Sequence, residues 1–468
     1  MIGMCGVLGI LGNFSLRAAR ELLLLLTHRG QDAAGLLWIE NGVVKTSKAM
    51  GHPGKIEIPE ISLNHILGST RYPTTGKRVV SSEDLDTFVG PFNVEEISLT
   101  HNGNITNMSA VSDSVFNCDS EFLAERLSYH LKANNGGLPN AFKRLDAEVD
   151  GSYSITGLYK GKLFAYRDHH GFKPLVFGRT KDKTIVASES TVLDMADVPL
   201  ERDVYPGELL IFDQKGMMES HSISQNSTHT HCFFEYVYFA HPAAKMENQL
   251  VYDVRFRLGR ALAQSFLKRN LEIPDYVVPV PDTSRPAAQA MAETLSVPMR
   301  EIILKNRYLG RTFIVQSQSE RNSMAKSKYI YLDDKIEGKI ILVVDDSIVR
   351  GTTAKMIIAD LKKKGAAKVY FAATCPPQTH PCYYGIDIAT DSELIASTND
   401  VDSIAEFIGA DALIYQEQNT VGNAIGLKDL CLACLNGVYP TEHARKIRSN
   451  MSECNSTTNQ RDYERDFL

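Results

Sequence analysis

A chain of 468 residues with 43% apolar residues can bury the cores of two or three domains. A net charge of −6 gives no support for general nucleic-acid binding, and no apolar run approaches the length of a membrane span. Without a secretory leader pattern the expectation is a cytoplasmic protein, whose eight cysteines serve metals, catalysis or packing rather than disulfides.

Cys5 opens a glycine-spaced apolar strand, Cys5-Gly6-Val7-Leu8-Gly9-Ile10. Alone, such a cysteine reads as a small buried hydrophobe. The leucines at 22–26 read as a buried helix, ended by His28-Arg29-Gly30-Gln31-Asp32. Arg71-Tyr72-Pro73-Thr74-Thr75-Gly76 follows a short strand. A strand over 96–100 leads into a polar turn, His101-Asn102-Gly103-Asn104-Ile105-Thr106-Asn107, and Asp119-Ser120-Glu121 opens a helix over 122–131. From about 151 to 213 short apolar strands alternate with polar turns, and Ala187-Ser188-Glu189-Ser190 reads as scaffold. The polar stretch 220–231, with three histidines, reads as a solvated linker.

A second domain begins near Cys232-Phe233-Phe234-Glu235, followed by a helix over 251–269 and a strand over 276–281. The loop Asp282-Thr283-Ser284 opens a helix whose N-terminus suits an anion. Lys305-Asn306-Arg307-Tyr308-Leu309-Gly310-Arg311 is an exposed cationic segment. Residues 340–344 read as a strand buried on both faces, closed by Asp345 and Asp346. A Ser/Gly/Thr loop follows, then a helix with Met356, Ile357 and Leu361 inward and Gly365 as its stop, then a strand from Lys368. The loop therefore lies at the carboxyl end of a strand, where α/β sheets bind ligands. Its backbone N–H groups and the Thr352 and Thr353 hydroxyls make a cradle for a phosphate monoester. The acid pair would repel that phosphate, so it suits sugar hydroxyls, Mg²⁺, or both. Cys431-Leu432-Ala433-Cys434 is a CxxC open to zinc, iron–sulfur and redox readings. The tail beyond about 449 reads as disordered.

The run Val343-Val344-Asp345-Asp346-Ser347-Ile348-Val349-Arg350-Gly351-Thr352-Thr353 resembles the phosphoribosyl-pyrophosphate (PRPP) motif of type I phosphoribosyltransferases. Cys5 and the polar motifs that follow it resemble the glutaminase domain of class II glutamine amidotransferases. Over about 5–445 the chain resembles the glutamine PRPP amidotransferases, which open purine biosynthesis. The resemblance implies a mixed α+β and α/β chain. An N-terminal-nucleophile αββα sandwich is expected over 5–230 and a type I phosphoribosyltransferase parallel-sheet domain over 231–445, the latter ending in a cluster-binding segment. A disordered tail is expected over 446–468. A sugar-phosphate amidotransferase would not explain residues 341–353, an asparagine-synthetase-like enzyme would need an ATP-pyrophosphatase loop that is missing, and a purine sensor would leave the glutaminase motifs unused.

The roles implied by the resemblance are specific. Cys5 attacks the glutamine amide, with its own α-amine as base, which requires a chain processed to Cys5 or begun at Met4. Arg29 supports the nucleophile, Asn102 and Gly103 form the oxyanion hole, Arg71 grips the α-carboxylate and Asp119 the α-ammonium. Ser69, where the family carries His, and Phe88-Val89-Gly90-Pro91-Phe92 depart at the rim of the glutamine pocket. Lys305, Tyr308 and Arg311 reach the pyrophosphate from a closing loop, and Asp345 through Thr353 bind the rest of PRPP. One Mg²⁺ is expected near Thr283, Asp345 and Asp346, and one [4Fe–4S] cluster on Cys232, Cys382, Cys431 and Cys434, with zinc as the alternative. Cys118, Cys375 and Cys454 remain outside that set. A homo-oligomer, dimer or tetramer, with purine nucleotides as feedback inhibitors and an internal ammonia path, completes the expectation.

Overall fold

The computed structural model describes residues 4–72, 81, 83–133, 137–224, 229–306, 329–388 and 390–453, with side chains through 450. Two antiparallel sheets form the first half. One has seven strands in the order Leu200–Asp203, Val176–Arg179, Thr184–Ala187, Gly6–Ser15, Ser62–Arg71, Ala33–Glu40, Val43–Met50. The other has six, in the order Met218–Ser222, Glu208–Phe212, Lys162–Arg167, Gly151–Tyr159, Ile97–Ile105, Phe92–Val94. Their inner faces meet over Val7, Leu37, Leu67, Leu163, Phe177 and Leu210. Helices Leu16–Leu24 and Thr191–Met195 cover the first sheet, and Asp119–Ala133 and Gly137–Glu148 the second. These are the four layers expected of the αββα sandwich.

The second half is built on four parallel strands in the order Tyr276–Pro279, Ile340–Asp345, Lys368–Ala373, Ala412–Tyr415. Helices Val251–Lys268 and Arg285–Leu295 pack on one face, and Thr352–Lys363 and Val401–Ile408 on the other. Apolar residues are needed on both faces of such strands, which is why 341–344 are all buried. A third core joins the halves. It gathers Met4, Phe172, Phe233, Tyr383, Tyr384, Ile425 and Tyr439, and the Phe172 and Tyr384 rings stack at 4.2 Å.

Several sequence expectations are corrected. Residues 101–105 belong to strand Ile97–Ile105 rather than to a turn. His101, Asn102 and Asn104 are buried there, so their polarity signals a site and not exposure. His231 is not in a solvated loop: it is buried in strand His231–Cys232, which pairs with Leu430–Cys431. Ile358, rather than Met356, is fully inward on its helix. The polar C-terminal segment is helical over Glu442–Glu453, fastened by Arg448 Nη1 on Asp391 Oδ2 at 2.6 Å, so the tail does not begin at 446. No described helix is long and apolar enough to cross a membrane.

Candidate active site

Cys5 immediately precedes the central strand Gly6–Ser15, and its Sγ donates to Tyr72 O at 3.6 Å. Burial pushes its thiol up, while the neighbouring Arg71 charge and the Tyr72 main chain draw it down, Asp119 raises it and Arg29 lowers it. Arg29, Arg71 and Asp119 therefore converge on Cys5, as their motifs implied. Arg71 ends the strand beside that of Cys5, and Asp119 begins the helix lying on the other sheet.

The oxyanion candidates sit on Ile97–Ile105, directly behind Gly6–Ser15 in the sandwich. Asn102 is buried and its Nδ2 has no hydrogen-bond partner among the described residues. Asp119 Oδ2 is likewise buried and without one, 3.9 Å from His101 Nδ1. A buried donor and a buried acceptor left open are costly in a folded protein unless a ligand completes them. Gly103 has φ +157, and a Cβ there would lie 1.9 Å from Ser152 O, so no larger residue fits this backbone.

Arg29 is completely buried. Its Nε donates to Cys5 O at 3.3 Å, and its Nη atoms to Glu189 and Glu235. In the sequence Glu189 reads only as scaffold, and Glu235 carries no motif of its own. The overlooked signal at Glu235 is a carboxylate inside the apolar run 233–239, where burial demands a charged partner. The segment after Cys382 also reaches this centre. Asn104 Nδ2 donates to Tyr383 O and Ser152 Oγ to Tyr384 O, both at 3.0 Å, and Tyr72 Oη donates to Asp387 Oδ2 at 2.9 Å.

The acceptor loop lies where expected. Asp345 ends its strand, Asp346 N donates to Asp345 Oδ1 at 2.9 Å, and Ser347 Oγ to Asp346 Oδ1 at 2.8 Å. Ile348 is buried as an anchor, and Val349 O accepts from Ile395 N. Arg350 pairs with Glu393. Gly351 adopts φ +74 as the N-cap of helix Thr352–Lys363, and Thr352 and Thr353 are exposed in its first turn. Thr283 follows the neighbouring strand Tyr276–Pro279, on the same carboxyl edge. Lys305 is held by Asp282, Nζ to Oδ2 at 3.0 Å. Tyr308 and Arg311 lie outside the described residues. Asp345, Asp346 and Thr283 supply hard oxygen donors, a set that suits Mg²⁺ when substrate oxygens and water complete it.

Cys232, Cys382, Cys431 and Cys434 are unpaired as disulfides, buried, and gathered in the core between the halves. The parallel pair sets Cys232 opposite Cys431, and Tyr384 N donates to Cys382 Sγ at 3.4 Å. Burial, with neighbouring thiol charge, holds the Cys232, Cys431 and Cys434 thiols high, Cys232 at about 11. Among the described residues no three His, Cys, Asp or Glu side chains are grouped for one metal ion. Four buried thiols at one junction match in number and chemistry the donor set of either a zinc site or a four-iron cluster. Cys375 lies in the same core, Cys118 is buried beside Arg71 and Asp119, and Cys454 is outside the described residues.

Comparison with known proteins brackets both centres. The glutamine amidotransferase domain family matches residues 80–195, and the phosphoribosyl transferase domain family matches 253–411. An amidophosphoribosyltransferase of Methanothermobacter thermautotrophicus is 37% identical over 459 residues, covering 93% of this chain and 94% of its own. One from Methanocaldococcus jannaschii is 35% identical over 469 residues, covering 94% and 98%. The solved glutamine PRPP amidotransferase from B. subtilis, complexed with ADP and GMP, superposes with a TM-score of 0.84 at 33% identity, covering 94% of this chain and 98% of that one.

Proposed function

The chain belongs to the amidophosphoribosyltransferase family, and from that premise we propose how its own residues divide the work. The reaction is glutamine-dependent amidotransfer to PRPP in purine biosynthesis, a pentosyl transfer. The observation that carries the division is the pair of open polar atoms, Asn102 Nδ2 and Asp119 Oδ2, around a cysteine in one half, with an anion loop in the other.

In the first half Arg71 binds the glutamine α-carboxylate and Asp119 the α-ammonium. Cys5 Sγ attacks the side-chain amide carbon, and the developing oxyanion is taken by Asn102 Nδ2 and the Gly103 N–H. Ammonia leaves, and water releases glutamate from the thioester. Because burial raises the thiol, a base must take its proton, and a freed Cys5 α-amine is the nearest candidate. That amine is free only in a chain processed to Cys5 or begun at Met4 and trimmed of it; Met4 here is 1% exposed, with its N–H on Arg29 O at 2.7 Å.

In the second half the loop 347–353 holds the 5′-phosphate, Asp345 and Asp346 orient the ribose, and Lys305 leaves Asp282 for the pyrophosphate. Ammonia displaces pyrophosphate at ribose C1, giving 5-phosphoribosylamine. Mg²⁺ at Thr283, Asp345 and Asp346 would neutralise pyrophosphate charge. A [4Fe–4S] cluster on Cys232, Cys382, Cys431 and Cys434 would tie the C-terminal segment to the junction, in a structural role. An internal path for ammonia between the halves belongs to the same reading, and the hydrogen bonds of 383–387 to the glutaminase half put the two halves in contact beside Cys5. The nucleotides in the B. subtilis structure support purine nucleotides as inhibitors here, and we take the chain to act as a cytoplasmic homo-oligomer.

A coupled assay tests the whole reading. Anaerobically purified protein should be brown, carry four irons per chain on the order expected for one cluster, and form phosphoribosylamine from glutamine and PRPP. Colourless, iron-free and fully active protein would remove the cluster from the proposal.

A further inference from the structure

We propose that Glu235 is a positioning residue for glutamine hydrolysis, supplied to the cysteine centre by the acceptor half of the chain. The inference rests on the reading of Cys5 as nucleophile. Arg29 is the group that touches the Cys5 main chain, Nε to Cys5 O at 3.3 Å. A guanidinium buried this completely keeps its orientation only through its remaining N–H groups. Those go to two carboxylates, one from each half. Nη1 donates to Glu189 Oε1 at 2.6 Å and to Glu235 Oε2 at 3.1 Å, and Nη2 to Glu235 Oε1 at 2.6 Å. Glu235 thus holds the bidentate grip, while Glu189 shares its charge with His28 at 2.8 Å and accepts from His241 N at 3.0 Å.

Glu235 is 2% exposed and begins the wide helical turn Glu235–Phe239. That turn is fixed from below by Arg255, on helix Val251–Lys268 of the acceptor half. Arg255 Nε donates to Tyr236 O at 2.9 Å, and its Nη2 to Tyr238 O at 2.9 Å and Ala240 O at 2.8 Å. Among the charges that offset the burial of Arg255, the Asp346 carboxylate of the PRPP loop is the strongest, followed by Glu189. Packed, hydrogen-bonded groups therefore run from Cys5 through Arg29 and Glu235 to Arg255, beneath the acceptor loop. The Cys5 carbonyl is one bond from the Cα that carries the thiol. Releasing one arm of Arg29 lets that main chain turn, and Sγ turns with it. Glutamine keeps Arg71 and Asp119, so its affinity is spared.

The test is Glu235→Gln, which keeps the shape and sets an amide N–H₂ against the guanidinium. Glutamine hydrolysis should lose about tenfold to a hundredfold in kcat, as expected for a small misplacement of a reacting atom. The KM for glutamine should stay within about twofold. Phosphoribosylamine synthesis driven by ammonium chloride should be unchanged. An unchanged kcat overturns the inference, and so does an equal loss of ammonia-driven synthesis, which would make Glu235 a general structural residue. Should Glu235→Gln not accumulate, Glu235→Asp serves: it keeps the charge at shorter reach, and an unchanged kcat there overturns the inference as well. Cys5→Ser in the same assay separates the premises, because residual hydrolysis in that variant would sink the nucleophile reading instead.

Discussion

The two reaction centres are built in opposite ways. The proposed glutamine centre is carried mainly on strands and strand ends, with Arg71, Asn102 and Asp119 buried and Asn102 Nδ2 and Asp119 Oδ2 without hydrogen-bond partners among the described residues. The PRPP centre is carried on loops at strand ends, with Arg350, Thr352 and Thr353 exposed and Lys305 tied to Asp282. The difference follows from the substrates. A neutral amide offers little binding energy at its reacting carbon, so the donors that stabilise its oxyanion must be fixed beforehand and shielded from water. PRPP brings strong charge of its own and can assemble its site from exposed cations and hydroxyls as it binds.

The strongest way to break this comparison is a reciprocal pair of variants. Cys5→Ser should reduce glutamine-driven synthesis by about a thousandfold or more while ammonium chloride still supports product. Asp346→Asn should abolish product from either nitrogen source and leave basal glutaminase largely intact. Product measured from each nitrogen source, with glutamate release alongside, reads both. Equal loss of both activities in either variant would mean that the centres are not separable as drawn.

How much of this was legible in the sequence differs between the same two regions. The acceptor segment is contiguous, so its strand, the acid pair that closes it and the helix that follows the loop are legible in residues 339–353 and lie where the sequence expects them. The glutamine centre is dispersed, and its members were found by resemblance alone. The continuation of strand Ile97–Ile105 over 101–105 reads as a turn in the sequence because buried polar residues look like surface residues. Glu189 and Glu235 lie far from Arg29 in the chain, and nothing in local pattern states that buried charges at such separations will meet. His231 was misread for the same reason: its partners are Gly171 and Glu247, supplied by the fold.

Two glycines sharpen the contrast at intermediate effect. Gly103→Ala would thrust a Cβ into the Ser152 carbonyl at 1.9 Å, a backbone clash that no rotamer relieves. Glutaminase should fall by about a hundredfold, the cost of a lost oxyanion donor. Gly351→Ala meets only the side chains of Ile395 and Phe407 at 3.1 Å, in a left-handed backbone. That should cost about 1–2 kcal/mol of local strain and raise the KM for PRPP by about tenfold or less. Steady-state kinetics of the two variants compare the centres directly. A larger loss at Gly351 than at Gly103 would reverse the rigid and adaptable assignments.

The smallest effect is expected at the seam, where the glutamine half meets the start of the acceptor half. Asp203 accepts from Glu247 N at 3.0 Å, beside the pair of Arg167 Nη1 and Glu247 Oε1 at 2.6 Å. Burial, and then the Glu247 charge, push the Asp203 carboxyl up to about 7, against the pull of Arg167, while burial and Arg167 push His231 down to about 4. A carboxyl whose folded value lies above its free value stabilises the fold fully at low pH, and that contribution is lost as pH rises through about 7. The slope is at most about 1.4 kcal/mol per pH unit between the two values. Asp203→Asn removes the titration and keeps an acceptor for the Glu247 N–H. Its melting temperature should match the parent at or below about pH 4, the free carboxyl range, and exceed it by about 2 °C at pH 8. A gap of the opposite sign at pH 8 would mean that the folded value lies below the free one, with the Asp203 carboxylate held by Arg167, which would make the seam an ion-pair lock instead of a proton-bearing one.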